Sequence, residues 1–133
     1  MVLVHVVWST WRRHPLLARA IDDRLIGIIG AKARDIGCVL LGAGCALDHV
    51  HALVRLVPSV PLADLVQRIK GGSAYDINHG VFEPRIRWQP GCWAESLSPA
   101  DVDPLARYVR NQRGHHDFSH PAERWQFDHS APT

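Results

Sequence analysis

No stretch of the chain approaches the ~20 consecutive apolar residues that a membrane-spanning helix needs. The longest apolar stretches, residues 2–8 and 38–47, are strand-length and flanked by polar residues. Residues 2–8 lack both a basic leading segment and a small-residue cleavage site, so no secretory signal is expected. Cysteine is scarce: Cys38, Cys45 and Cys92 form an odd set with no CxxC pair. That argues against a disulfide framework, a thiolate zinc site or a thiol nucleophile, and for a reduced, cytoplasmic setting. A strong charge of either sign is also missing, because 15 Lys and Arg nearly balance 13 Asp and Glu. The formal net charge of +2 does not by itself announce a nucleic-acid binder. Tyrosine occurs only twice, at Tyr75 and Tyr108.

What is present is an ordinary globular composition, 47% apolar over 133 residues. It predicts one domain over 1–133, large enough to build a core without staples. The basic residues are grouped: Arg12 and Arg13, Arg68 and Lys70, Arg85 and Arg87, then Arg107, Arg110 and Arg113. They could converge into a groove, although solvated helix faces account for them equally well. Nine histidines are the compositional oddity.

Residues 2–8 are β-branched and apolar, which predicts a buried first strand. From 16 to 35, Leu17, Ile21, Leu25, Ile28 and Ile29 recur at helical spacing, and Gly37 ends that helix. Strands are expected at 38–47 and 49–57, joined tightly at Leu47-Asp48 as an antiparallel hairpin. A second helix is expected over 62–78, with Gly71-Gly72 inside it at roughly 1 kcal/mol each relative to alanine. A kink or a close backbone approach to a ligand would explain that pair. Residues 82–93 read as irregular and 94–97 as a short strand. A last helix follows Ser98-Pro99, with Asp101 and Asp103 at its positive end, and runs to Gln112, where Gly114 stops it. The tail from about 115 is polar and is expected to be loosely ordered. The order β-α-β-β-α-β plus a terminal helix predicts an α+β, ferredoxin-like split βαβ fold with an antiparallel sheet.

Two constellations carry chemistry. His49 and His51 are two apart on a strand, so both face the same way and could share an ion. Alone, a His-x-His is weak, and core packing of one histidine explains most occurrences. Tyr108 and Gln112 are four apart on a helix, hence one turn from each other on one face. A tyrosine hydroxyl can attack phosphorus when nearby positive charge offsets its pKa of ~10, and a glutamine oxygen suits Mg²⁺ or Mn²⁺. Alone, this too is an ordinary amphipathic helix. Tyr75 is the poorer nucleophile, since His79 stands one turn after it and no acid or amide does.

In series, four stretches closely resemble the single-tyrosine HUH transposases of minimal bacterial insertion sequences and their REP-associated relatives. They are Val4-His5-Val6-Val7-Trp8-Ser9-Thr10, Asp48-His49-Val50-His51-Ala52-Leu53-Val54, Ile69-Lys70-Gly71-Gly72-Ser73 and Tyr108-Val109-Arg110-Asn111-Gln112. The sequence departs from the family pattern at Ala46-Leu47, where Met-Pro is frequent, and at residues 91–97, which lack the usual aromatic pair.

The resemblance implies that His49, His51 and Gln112 bind Mg²⁺ or Mn²⁺ and that Tyr108 is the nucleophile. It further implies single-stranded DNA with hairpin ends as substrate, a 5′-phosphotyrosine intermediate, and a homodimer in which the tyrosine helix can complete the partner's site. Arg12, Arg13 and Lys70 are then expected near DNA backbone, and Trp11 and Trp88 near unpaired bases, although packing serves both tryptophans as well. Two other readings stay open: a non-catalytic single-stranded nucleic-acid binding module, and a phosphoesterase using water. The second would want more ligands near the metal than Asp48, which strand alternation aims away from His49.

Overall fold

The computed structural model describes residues 1–80, 85–111 and 113. Its strands are β1 (Val2–Ser9), β2 (Val39–Cys45), β3 (His49–Leu56) and β4 (Trp93–Leu97). Its helices are α1 (Asp22–Asp35), α2 (Leu62–Asn78) and α3 (Val102–Arg110), with 3₁₀ turns at Trp11–Arg13, Arg19–Ile21 and Pro99–Asp101. The strands form one sheet in the order β2-β3-β1-β4, every neighbour antiparallel. This is the expected ferredoxin-like arrangement. No helix among the described residues is long and apolar enough to cross a membrane.

Strand alternation divides the sheet into two faces. Val4, Val6 and Trp8 of β1 and Val50, Ala52, Val54 and Leu56 of β3 pack with Leu25, Ile29, Leu65 and Ile69 into the main core under α1 and α2. Each large side chain buried there contributes roughly 1.5–3 kcal/mol. The opposite face is covered by α3, where Leu53, Ala106 and Val109 form a smaller cluster joined by Leu41, Leu97, Leu105 and Tyr108.

Element boundaries differ from expectation in two places that matter: α3 ends at Arg110, two residues before the expected end of the last helix, and the first helix starts late. The first helix begins at Asp22, not at 16, because residues 16–18 run extended into the Arg19–Ile21 turn. Leu17 is buried in the main core all the same, so its apolar spacing reflects packing and not helix. Asp22 and Asp23 then occupy the first turn, where the helix dipole favours them.

α2 runs through Gly71-Gly72 without a break. A side chain at Gly72 would come within 2.9 Å of the Lys32 stem, so that glycine permits the close approach of α1. At the entrance to α3, Ser98 and Asp101 form a reciprocal capping box. All three cysteines are free thiols, Cys38 and Cys45 inside the core. The expected loose tail from 115 lies outside the described residues.

Candidate active site

Because β3 alternates, His49, His51 and Leu53 all point to the α3 face, away from the main core. The two imidazoles lie with ring centroids 5.2 Å apart at 62°. His51 is fully buried and His49 nearly so, at 5% exposure. An uncompensated imidazole at such depth is costly, and both rings meet polar partners.

Each ring is held through Nδ1. His49 Nδ1 lies 2.7 Å from Asp48 Oδ1, and Arg13 Nε donates to Asp48 Oδ2 at 2.9 Å. His51 Nδ1 lies 2.8 Å from Nε2 of His5 in β1. Strand alternation had placed the Asp48 carboxylate away from His49. The structure reverses this: Asp48 precedes the first residue of β3, in the turn, where strand parity no longer governs its side chain. Burial alone would raise the Asp48 pKa, but the hydrogen bonds from His49 and Arg13 outweigh it and hold the carboxyl below its usual value.

The Asp48–Arg13 contact comes at a conformational cost. Arg12 and Arg13 both have φ of 54°, in the left-handed region that side chains seldom adopt. Two such residues in succession cost of order 1–3 kcal/mol each. They are pinned by Thr10 O accepting from Arg13 N and by Gln89 Oε1 accepting from Arg12 N. The backbone is thus bent so that the Arg13 guanidinium reaches Asp48.

Tyr108 lies on α3, and its ring stands edge-on to His51 with centroids 6.0 Å apart. A cavity of about 400 Å³, bordered by Glu95, Leu97, Asp101, Leu105 and Tyr108, opens beside it. Gln112, the expected third ligand, lies outside the described residues. Among the described residues no group of three or more His, Cys, Asp or Glu could hold a metal. The His49/His51 pair therefore suits an ion only if further donors are oxygens of Gln112, water or a phosphate. With both Nδ1 atoms engaged, such an ion would be met through Nε2 of each ring.

The remaining expected contacts fall into two groups. Arg12 and Trp11 lie in the turn after β1, where the Arg87 guanidinium sits 4.0 Å from the Trp11 ring centroid and Arg12 lies 5.5 Å away. Lys70 and Trp88 are used structurally. The half-buried Lys70 ammonium donates to the carbonyls of Gln89 and Gly91, and Trp88 Nε1 donates to Lys70 O. Burial lowers the Lys70 pKa, with nearby Cys92 opposing. Sequence reasoning missed His5 as a site residue. Its signal was a lone imidazole within an otherwise apolar strand.

Residues 1–112 match the family model described as "Transposase IS200 like". Among solved structures, the chain is similar to a candidate transposase from Deinococcus radiodurans R1, at 25% identity and a TM-score of 0.64, covering 84% of this chain and 90% of that one. It is also similar in fold to a REP-associated tyrosine transposase bound to a REP hairpin, at 16% identity and a TM-score of 0.56, covering 81% of this chain and 64% of that one. No curated protein matches.

Proposed function

Because the chain belongs to the IS200-like transposase family, we propose that it cuts and rejoins single-stranded DNA through a covalent bond to Tyr108. The observation that carries this reading is the position of the Tyr108 ring edge-on to His51, on the sheet face that also holds His49. The Tyr108 oxygen attacks the scissile phosphorus and loses its proton. The bond from phosphorus to the 3′ oxygen breaks, leaving a 5′-phosphotyrosine and a free 3′-hydroxyl. A 3′-hydroxyl from the same or another strand then reverses the exchange, so the phosphodiester energy is retained and no nucleotide is consumed. His49 and His51, with Gln112, are the proposed holders of Mg²⁺ or Mn²⁺, which would draw charge from the scissile phosphate.

The proposed substrate is single-stranded DNA bearing a hairpin, and the REP-associated tyrosine transposase of similar fold is bound to a REP hairpin. In this chain the Tyr108 ring meets His51 of its own sheet. A homodimer is part of the proposal and is checked by light scattering.

The test is incubation with hairpin DNA from the gene's own flanks and Mg²⁺ or Mn²⁺, followed by denaturing electrophoresis. A covalent protein–DNA adduct that disappears in Tyr108→Phe is the expected result. Cleavage without an adduct would assign the reaction to water, and binding without cleavage would make the chain a binding module.

A further inference from the structure

His5 is the least expected residue of the sheet. It sits midway along β1, opposite Leu53 and fully buried, where an aliphatic side chain would add apolar burial at no polar cost. Among the described residues two rings stand against it. The His51 ring lies nearly parallel at 5.1 Å between centroids, and Trp93 presents its edge at 5.2 Å. Stacking alone would tolerate phenylalanine. The 2.8 Å approach of His5 Nε2 to His51 Nδ1 is what only a hydrogen-bonding ring provides.

That contact has a direction. Two neutral imidazoles joined nitrogen to nitrogen share one proton, so one ring donates and the other accepts. A histidine that ligates a metal must present a lone pair. With Nδ1 of His51 held against His5, the presenting atom is Nε2, which requires the proton on Nδ1 and the lone pair on His5 Nε2. We propose that His5 is a positioning residue that keeps His51 in its Nδ1–H tautomer and fixes its ring, so that Nε2 is offered to a divalent ion. The proposal rests on the metal-site reading above.

The arrangement makes the two histidines unequal. His49 leans on a carboxylate anchored by Arg13, whereas His51 leans on a second imidazole carried by another strand. An ordinary polar partner from β3 could not reach His51 Nδ1 from the same strand, since neighbouring same-face positions are already His49 and Leu53. β2 offers only Gly44 opposite His51, so the partner comes from β1, where the antiparallel register sets His5 diagonally across, against Leu53, while Val7 faces His51.

The experiment uses the full chain with ¹⁵N-labelled histidine. Long-range ¹H–¹⁵N correlations on metal-free protein read the His51 tautomer directly, and Mn²⁺ titration gives the affinity from line broadening at His49 and His51. His51 in the Nδ1–H form is expected. His5→Phe, which keeps an aromatic ring against Trp93, is expected to lose that tautomer and to weaken Mn²⁺ binding roughly 10–100-fold. His5→Gln, which returns an acceptor oxygen, is expected to recover most of it, with thermal melting alike in the two variants. His51 in the Nε2–H form in the unaltered protein overturns the proposal without any variant. So does His5→Phe with unaltered Mn²⁺ affinity, or equal losses in His5→Phe and His5→Gln. If Mn²⁺ broadens neither His49 nor His51 in the unaltered protein, the metal-site reading fails first, and the inference falls with it.

Discussion

The carbonyl oxygen of Val109 fills the space that a side chain at Gly44 would need: a Cβ built there would lie 1.5 Å away. β2 and the backbone of α3 are therefore in direct contact one residue beyond Tyr108. At Gly42 the same construction meets the Ala106 side chain at 3.4 Å, an ordinary contact. Gly44→Ala is expected to push α3 off the sheet, costing roughly 1–3 kcal/mol or more as overpacking. It should also reduce adduct formation at Tyr108 by at least tenfold. Gly42→Ala should do much less. Parallel melting curves and adduct yields check both, and equal behaviour of the two variants would refute a backbone role for Gly44.

Asp48 offers a second prediction, since it stands between the strained Arg12-Arg13 turn and His49. Asp48→Ala removes the acceptor from His49 Nδ1 and strands the Arg13 guanidinium, so Mn²⁺ affinity is expected to fall roughly 10–100-fold. Asp48→Asn keeps an oxygen that can accept at either side and should lose less. Calorimetric titration of Mn²⁺ into the two variants gives the order. Asn weaker than Ala would contradict the assigned hydrogen bonds.

Cys45 gives a prediction in pH. Burial, reinforced by Asp22 and opposed by Arg113, raises its thiol from 9.0 to about 12. The folded state thus binds the proton more tightly than the unfolded chain does. The linked stability is fully present below the unfolded value and is lost as pH rises from about 9 toward 12, at a limiting slope of ~1.4 kcal/mol per unit. Denaturant midpoints at pH 8 and pH 10.5 should fall further in the native sequence than in Cys45→Ala. Alkylation at pH 8 should spare Cys45 until the protein unfolds.

How much of this was legible beforehand follows from the range of each interaction. Same-face placement of His49 and His51 needs only strand parity, and the link between Tyr108 and the histidine pair needs only the family resemblance. The fold followed from element order. His5 could not be assigned, because its partner is set by the register between β1 and β3, 46 residues apart in the hydrogen bond it makes. Asp48 was misdirected because alternation was carried one residue too far, into a turn. Gly44 carries no signal in the sequence, because what excludes a side chain there is the α3 backbone lying on it. That Arg13 reaches Asp48 was not legible, since the contact depends on left-handed backbone at a non-glycine pair.

Two ion pairs in the same molecule test how burial decides the worth of a charge. Arg113 Nε donates to Asp22 Oδ2 at 2.8 Å, and its Nη2 reaches both Oδ1 and the carbonyl of Leu17. Hydrogen bonds donated to Asp22 raise the Arg113 pKa, and only 14% and 24% of the two side chains is exposed. This pair ties the chain just after α3 to the start of α1, so it bears on where Tyr108 sits. Arg68 and Asp35 also lie within 2.8 Å, but both are nearly half exposed and screened by solvent. Arg113→Ala leaves the Asp22 carboxylate partly buried and uncompensated, for an expected loss of about 1–3 kcal/mol, between the surface and fully buried limits. Arg113→Lys should recover only part, since an ammonium cannot reproduce the forked contact. Arg68→Ala should leave the melting temperature unchanged within error. Differential scanning calorimetry of the three variants checks the ranking, and an Arg68 effect as large as that of Arg113 would remove the case for α3 being anchored through Asp22.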